Sequence, residues 1–282
     1  MDSCQELISK IKSEHKAGRL VLPSLPEIVV RVRQAVNNDD VNLGDIVKLI
    51  QFDPSLTARL VQIANSPLYR TSQPVDNCLM AVNRLGLKTT RDLVTCLVLN
   101  NVFNSENKLL RKKVEILWRH SCHVAAVAST IAKITPNLSE DTALLAGLLH
   151  DIGILPILHY AAEFPEIIES EEKLNFVIQE LRASLGRQIL EGWNFDPTLS
   201  EVSSEAENWL RENVDNAADY VDVIIVAQIH SYFGKGEGSH LPSLVSTPAF
   251  LKLGLSKLGP DASLEVLFEA EQSIQKIMRM LG

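Results

Sequence analysis

Leu148-Leu149-His150-Asp151-Ile152-Gly153 is the stretch on which the reading of this chain turns. It closes an apolar run, Ala143-Leu144-Leu145-Ala146-Gly147-Leu148-Leu149, that has no polar face, and such a helix is buried on every side rather than lying amphipathic on a surface. Ser139 stands where an N-cap belongs, and Glu140 and Asp141 follow in the first turn, where the helix dipole favours negative charge. His150 and Asp151 therefore emerge from the interior. Desolvating an unpaired carboxylate costs on the order of several kcal/mol, so the pair needs a partner, a hydrogen-bond network or a metal ion. Two readings stand side by side. One is a metal site or the relic of one; the other is a structural pair in which Asp151 caps a neighbouring helix and His150 bonds a backbone carbonyl.

Outward from this motif nearly every segment with a clear period reads as helix, and strand signals are almost absent, which predicts an all-α fold. Residues 26–37 start at a proline suited to a first helical turn and place Ile28, Val32, Ala35 and Val36 on one face. Asp45 can cap a short helix through Ile50. Asp53-Pro54 is a second start, with a stripe of Leu56, Leu60, Val61 and Ala64 that Asn65-Ser66-Pro67 ends. Residues 76–86 and 89–103 continue the pattern, broken at Gly86. The polar run Asn104-Ser105-Glu106-Asn107-Lys108 is the best linker, dividing the chain into an N-terminal helical module, 1–105, and a second module, 106–282. In the second module a long helix is expected from about Lys108 to Ile134, then the buried helix and a turn through Gly153 and Pro156. Helices follow at about 171–192, 198–213, 216–231 and 261–281. The loop Gly234-Lys235-Gly236-Glu237-Gly238-Ser239 has neither phosphate-loop spacing nor a preceding strand and reads as a flexible connector.

Composition narrows the function classes. Hydrophobic residues make up 46% of the 282 residues, which excludes disorder, and no uninterrupted apolar run of membrane-spanning length is present. The opening Met1-Asp2-Ser3-Cys4-Gln5-Glu6 is no signal peptide, so a cytoplasmic protein with no membrane partner is expected. Cys4, Cys78, Cys96 and Cys122 lie far apart without C-x-x-C spacing and read as buried thiols. Residues 1–105 carry 12 Lys/Arg against 10 Asp/Glu, whereas 106–282 carry 15 against 25. An acidic second module argues against nucleic acid as a partner.

Laid out in order, the motifs resemble the HDOD family, bacterial proteins whose output domain is related to the HD metal phosphohydrolases. The resemblance runs from about Leu22 to Gly192. It rests on Leu22-Pro23-Ser24-Leu25-Pro26, on Leu49 to Thr57, on Ile63-Ala64-Asn65-Ser66-Pro67 and on Ala81-Val82-Asn83-Arg84-Leu85-Gly86. In the second half it rests on Leu117-Trp118-Arg119-His120-Ser121, the Leu148-to-Gly153 motif and Leu190-Glu191-Gly192-Trp193-Asn194-Phe195. It implies an HD-like helical bundle preceded by an N-terminal helical module. Active HD enzymes hold one or two divalent metals with a histidine, the His-Asp pair and a distant aspartate, and the metal activates water against a phosphate ester.

Carried over residue by residue, His120 stands for the first histidine and His150-Asp151 for the pair. The distant aspartate is expected within residues 241–258, yet Leu241-Pro242-Ser243-Leu244-Val245-Ser246-Thr247-Pro248-Ala249-Phe250-Leu251 contains no acid. His230 is followed by Ser231 rather than a second histidine, and no Gly-Tyr-Pro tripeptide occurs. A three-ligand remnant predicts weak binding of a divalent metal and no tightly bound cofactor. Asp222, eight residues before His230, either turns a carboxylate into the pocket or caps a helix. Asn65, Ser66 and Arg84 either contact a ligand or end and cap their helices, and His123 packs one turn from His120.

The resemblance thus implies a signal-transduction module with a degenerate HD site, acting by binding a signalling protein partner or a small phosphate-containing ligand. The alternative is a metal-dependent phosphohydrolase of a nucleotide or other phosphate ester, using His120, His150 and Asp151, with Asp151 as its essential carboxylate and a water or Asp222 completing the shell.

Overall fold

The structure is a computed structural model that describes residues 2–38, 42–66, 69, 71, 73–104, 107–213, 217–232, 241–253 and 275. Among them there is no strand. The helices are α1 (Ser3–Lys16), α2 (Glu27–Val36), α3 (Leu43–Gln51), α4 (Pro54–Ala64), α5 (Cys78–Leu85), α6 (Leu87–Leu99), α7 (Lys108–Ile134), α8 (Glu140–Leu149), α9 (Ile154–Ala161), α10 (Pro165–Ile168), α11 (Glu171–Gly192), α12 (Pro197–Glu205), α13 (Tyr220–Ser231) and α14 (Pro248–Lys252). The fold is all-α.

The chain divides into two compact units. The sequence placed a boundary near residue 105; the contacts part between 102 and 103, and residues before 24 pack with the later part of the chain. In that larger unit α7 and α8 form the spine and α13 lies across α7. The crossing is tight: a Cβ on Gly147 would stand 2.3 Å from the Cα of Ala125, so only glycine lets α8 approach α7 this closely. α8 is buried from Ala143 to Leu149, capped by the Ser139 side chain accepting from Thr142 N–H, as its sequence predicts. α1 packs on α11 and α9 through Cys4, Leu7, Ile8 and Ile11.

In the smaller unit α2 packs on α3 and α6, and α4 on α5. Asp53 caps α4 as expected, accepting from Leu56 N–H. α3 is capped by Asn42, which accepts from Asp45 N–H, so Asp45 is a first-turn acid and not the cap. The buried face of α2 is Val29 and Val32, one position round from the face the periodicity favoured. Gly86 separates α5 from α6 at φ +79°, a conformation that glycine adopts without strain.

Three other expectations are corrected. Pro156 lies inside α9 rather than in a turn, α12 stops at Glu205, and α13 starts at Tyr220 behind an Asp219–Asp222 capping box. The glycine-rich connector and, apart from Gln275, the helix expected at 261–281 lie outside the described residues. Glu140–Ala161 is long and apolar enough to cross a membrane by length and composition, but it is interrupted by the His-Asp pair, consistent with the absence of an uninterrupted apolar run in the sequence, and 78% of its most apolar 18-residue window is buried inside the fold.

Candidate metal centre

His150 occupies the position just past the last residue of α8, where helical carbonyls lose their partners. Its Nδ1 donates to Gly147 O at 2.7 Å, which orients the ring and leaves Nε2 as the ligand atom. That Nε2 is fully buried, lies 3.1 Å from Oδ2 of Asp151, and is not aligned for a hydrogen bond with it. His120 reaches in from the middle of α7, with its Nε2 3.7 Å from the same oxygen and its ring centroid 5.3 Å from that of His150. One ligand atom from each of the three residues lies within 4.8 Å of the others.

An ion with bonds of about 2.1 Å spaces its ligands roughly 3.0 Å apart when adjacent and 4.2 Å when opposite. The two measured spacings fall between those limits, so His120, His150 and Asp151 fit as three ligands of one divalent metal. Two nitrogens and a carboxylate oxygen suit zinc, iron or manganese.

The other oxygen of Asp151 faces a cation that belongs to the chain. Arg182, on α11, donates from Nη1 to Oδ1 at 3.0 Å and to the His150 carbonyl at 3.4 Å, and its Nη2 lies 3.2 Å from Oε2 of Glu207. Ser203 Oγ donates to the same His150 carbonyl at 3.1 Å. Glycines bring these groups together. A Cβ on Gly153 would stand 2.1 Å from Arg182 O, and one on Gly186 would stand 2.0 Å from Ser203 Oγ. Gly153 has an ordinary φ of −65°, so the motif's glycine is there for close approach and not for a turn.

Burial works to raise the pKa of the Asp151 carboxyl, but His150 and the Arg182 guanidinium beside it outweigh that and hold it below the usual carboxylate range. At Glu207 burial dominates and pushes the carboxyl up, although Arg182 opposes it.

The family profile of the HDOD domain matches residues 22–209. This chain belongs to the HDOD family. A crystal structure from Shewanella amazonensis SB2B, described as a "Putative metal-dependent phosphohydrolase", superposes on this HDOD protein with a TM-score of 0.81 at 29% identity, covering 97% of this chain and 100% of that one. An HDOD domain protein of unknown function from Geobacter sulfurreducens shares the fold at a TM-score of 0.69 and 24% identity, over 98% and 97% of the two chains. An uncharacterized protein of Treponema pallidum (strain Nichols) is 26% identical over 199 residues, 64% of this chain and 37% of that protein, so the chain spans well under half the length of that relative.

The remaining site residues chosen from sequence are not among the three clustered ligands. Asp222 does not turn into the pocket. It is fully buried at the start of α13, where it accepts from Asp219 N–H in the capping box and pairs with Lys252 Nζ at 2.5 Å and, more loosely, Arg211 Nη1 at 3.7 Å. His230, at the far end of the same helix, stacks on His123 with centroids 6.0 Å apart and is not one of the three clustered ligands. Asn65 and Arg84 belong to the smaller unit and close its loop. Asn65 exchanges two hydrogen bonds with the Val75 backbone at 2.6 and 2.7 Å, and Arg84 donates to Ala64 O at 3.0 Å and to Gln73 O. Ser66 donates its N–H to Ile63 O at the end of α4.

Sequence reasoning missed Arg182, Ser203 and Glu207. Arg182 had a signal: it stands among Leu181, Leu185 and Ile189 on the buried face of α11, where a solvated arginine has no place.

Proposed function

We propose that this HDOD protein is a signal-transduction module whose HD site binds a divalent metal weakly and turns over no phosphate ester, so that its helices act as a platform for a protein partner or a small phosphate-containing ligand. The observation that carries this reading is the ligand set: His120, His150 and Asp151 cluster without a second carboxylate among the described residues, and residues 241–258 hold no acid by sequence. Four cysteines, all buried and none in a disulfide, suit a reducing cytoplasm. The test is hydrolysis of bis(p-nitrophenyl) phosphate by the full chain with manganese, iron(II) or zinc in excess. The expected rate is that of the metal-only blank, and metal-stimulated turnover lost in Asp151→Asn refutes the reading.

A second reading, a metal-dependent phosphohydrolase, is favoured by the convergence of the three ligand atoms within 4.8 Å and by the likeness to the Shewanella protein. A metal held by His120, His150 and Asp151 would supply a water of lowered pKa and offset charge on a phosphoryl group. In that case the chain's own part is to hold His150 by the Gly147 carbonyl and Asp151 by Arg182.

A further inference from the structure

We propose that Arg182 is the built-in cation of this site: its guanidinium occupies the second oxygen of Asp151, limits the centre to one metal position, and keeps affinity for that metal low. The inference rests on the reading of the site as a weak metal centre and gives that weakness a second cause beside the short ligand set.

The two oxygens of Asp151 face different groups. Oδ2 is turned to the imidazoles of His120 and His150, whereas Oδ1 is held by Arg182 at 3.0 Å. Arg182 is 3% exposed, and its three partners are two carboxylates, Asp151 and Glu207, and the His150 carbonyl. A guanidinium never gives up its proton in a protein, so this position carries a permanent positive charge. A carboxylate that bridges two metals with one oxygen on each needs both oxygens free, and here Oδ1 is taken by Arg182. A divalent ion seated against Oδ2 would lie about 5 Å from the guanidinium, where a double and a single positive charge repel enough to cost roughly tenfold in affinity even with water-like screening. The fold also gains a benefit: Asp151 is charge-paired with no metal present, so the buried pair needs none to stay folded.

The test titrates manganese chloride into the metal-free full chain and compares wild type with Arg182→Lys, Arg182→Met and Arg182→His, following heat of binding and the thermal midpoint. The wild type and Arg182→Lys, which keep the cation, should bind manganese weakly and alike. Arg182→Met should bind at least about tenfold more tightly, and Arg182→His, which trades the cation for another nitrogen ligand, at least as tightly. Manganese should raise the thermal midpoint of those two variants more than that of the wild type. If Arg182→Met is unfolded without metal, recovery of its helical circular dichroism on adding manganese supports the role. No recovery, together with weak binding by Arg182→His, overturns it, and so does equal affinity in all four chains. Tight stoichiometric binding by the wild type contradicts the proposed function itself, whereas weak binding by every variant contradicts only the role given to Arg182.

Discussion

Asp151 is ionised because its neighbours make ionisation cheap, and this has a measurable sign. The folded value of its carboxyl is depressed by His150 and Arg182 against the opposing effect of burial, so the stabilisation is present above the unfolded value near 3.9 and is lost as pH falls below it. Under acid the unfolded chain takes up a proton that the folded chain refuses, a slope of about 1.4 kcal/mol per pH unit for one group. Asp151→Asn should therefore flatten the fall in urea-unfolding stability between about pH 4 and pH 3. At neutral pH the same variant should cost about 1–3 kcal/mol, because the amide keeps part of the bonding to Arg182. An unchanged acid slope would show that the charge on Asp151 is not tied to folding. At this scale the sequence exposed His150 and Asp151, since a polar pair at the end of an all-apolar helix has no bland surface explanation. It marked Arg182 only weakly, by its place on the apolar stripe of α11, because an arginine beside such a stripe often lays its stem on the surface and keeps its head in water. It left Asp222 open, since a carboxylate three residues after Asp219 caps a helix or fills a pocket according to how the chain turns at a point that periodicity does not reach.

The elements around the site are spaced by glycines, and each close approach makes a forecast. Gly153→Ala puts a methyl 2.1 Å from Arg182 O and 2.6 Å from Gly186 N, both backbone atoms that cannot swing aside. Overpacking of this kind costs about 1–3 kcal/mol or more, so thermal unfolding should show a clear loss of stability and Arg182 should be displaced from Asp151. Gly147→Ala should cost at least as much at the α7–α8 crossing, where the obstacle is the Ala125 backbone. By contrast Gly192→Ala, with nothing within 4 Å, should be close to neutral, and a loss there equal to that of Gly153→Ala would undo the packing argument. Helices with strong caps or long amphipathic runs were readable to the residue: α7 over Lys108–Ile134 and α11 over Glu171–Gly192. The start of α3 was not, because Asn42 and Asp45 are both good caps three residues apart and only the backbone decides between them.

At the scale of the molecule, α1 does more than lead into the HDOD domain. Leu7, Ile8 and Ile11 are buried in the unit that carries the His120–His150–Asp151 cluster, and Lys10 pairs with Glu163 at 2.5 Å. Burying an aliphatic side chain of this size is worth about 1.5–3 kcal/mol, so Leu7→Ala should cost about 2–5 kcal/mol once the cavity is counted. Thermal unfolding should show that loss, and a neutral result would mean that α1 is an appendage. The sequence gives no sign of this, because the contacts of α1 with α9 and α11 join residues more than 130 positions apart, beyond the reach of local periodicity. The central claim, a weak three-ligand centre in a non-catalytic HDOD module, is tested most directly by elemental analysis of the full chain purified without chelator. Well below one equivalent of iron, manganese and zinc combined is expected, and one or more tightly held equivalents would overturn the weak-site reading.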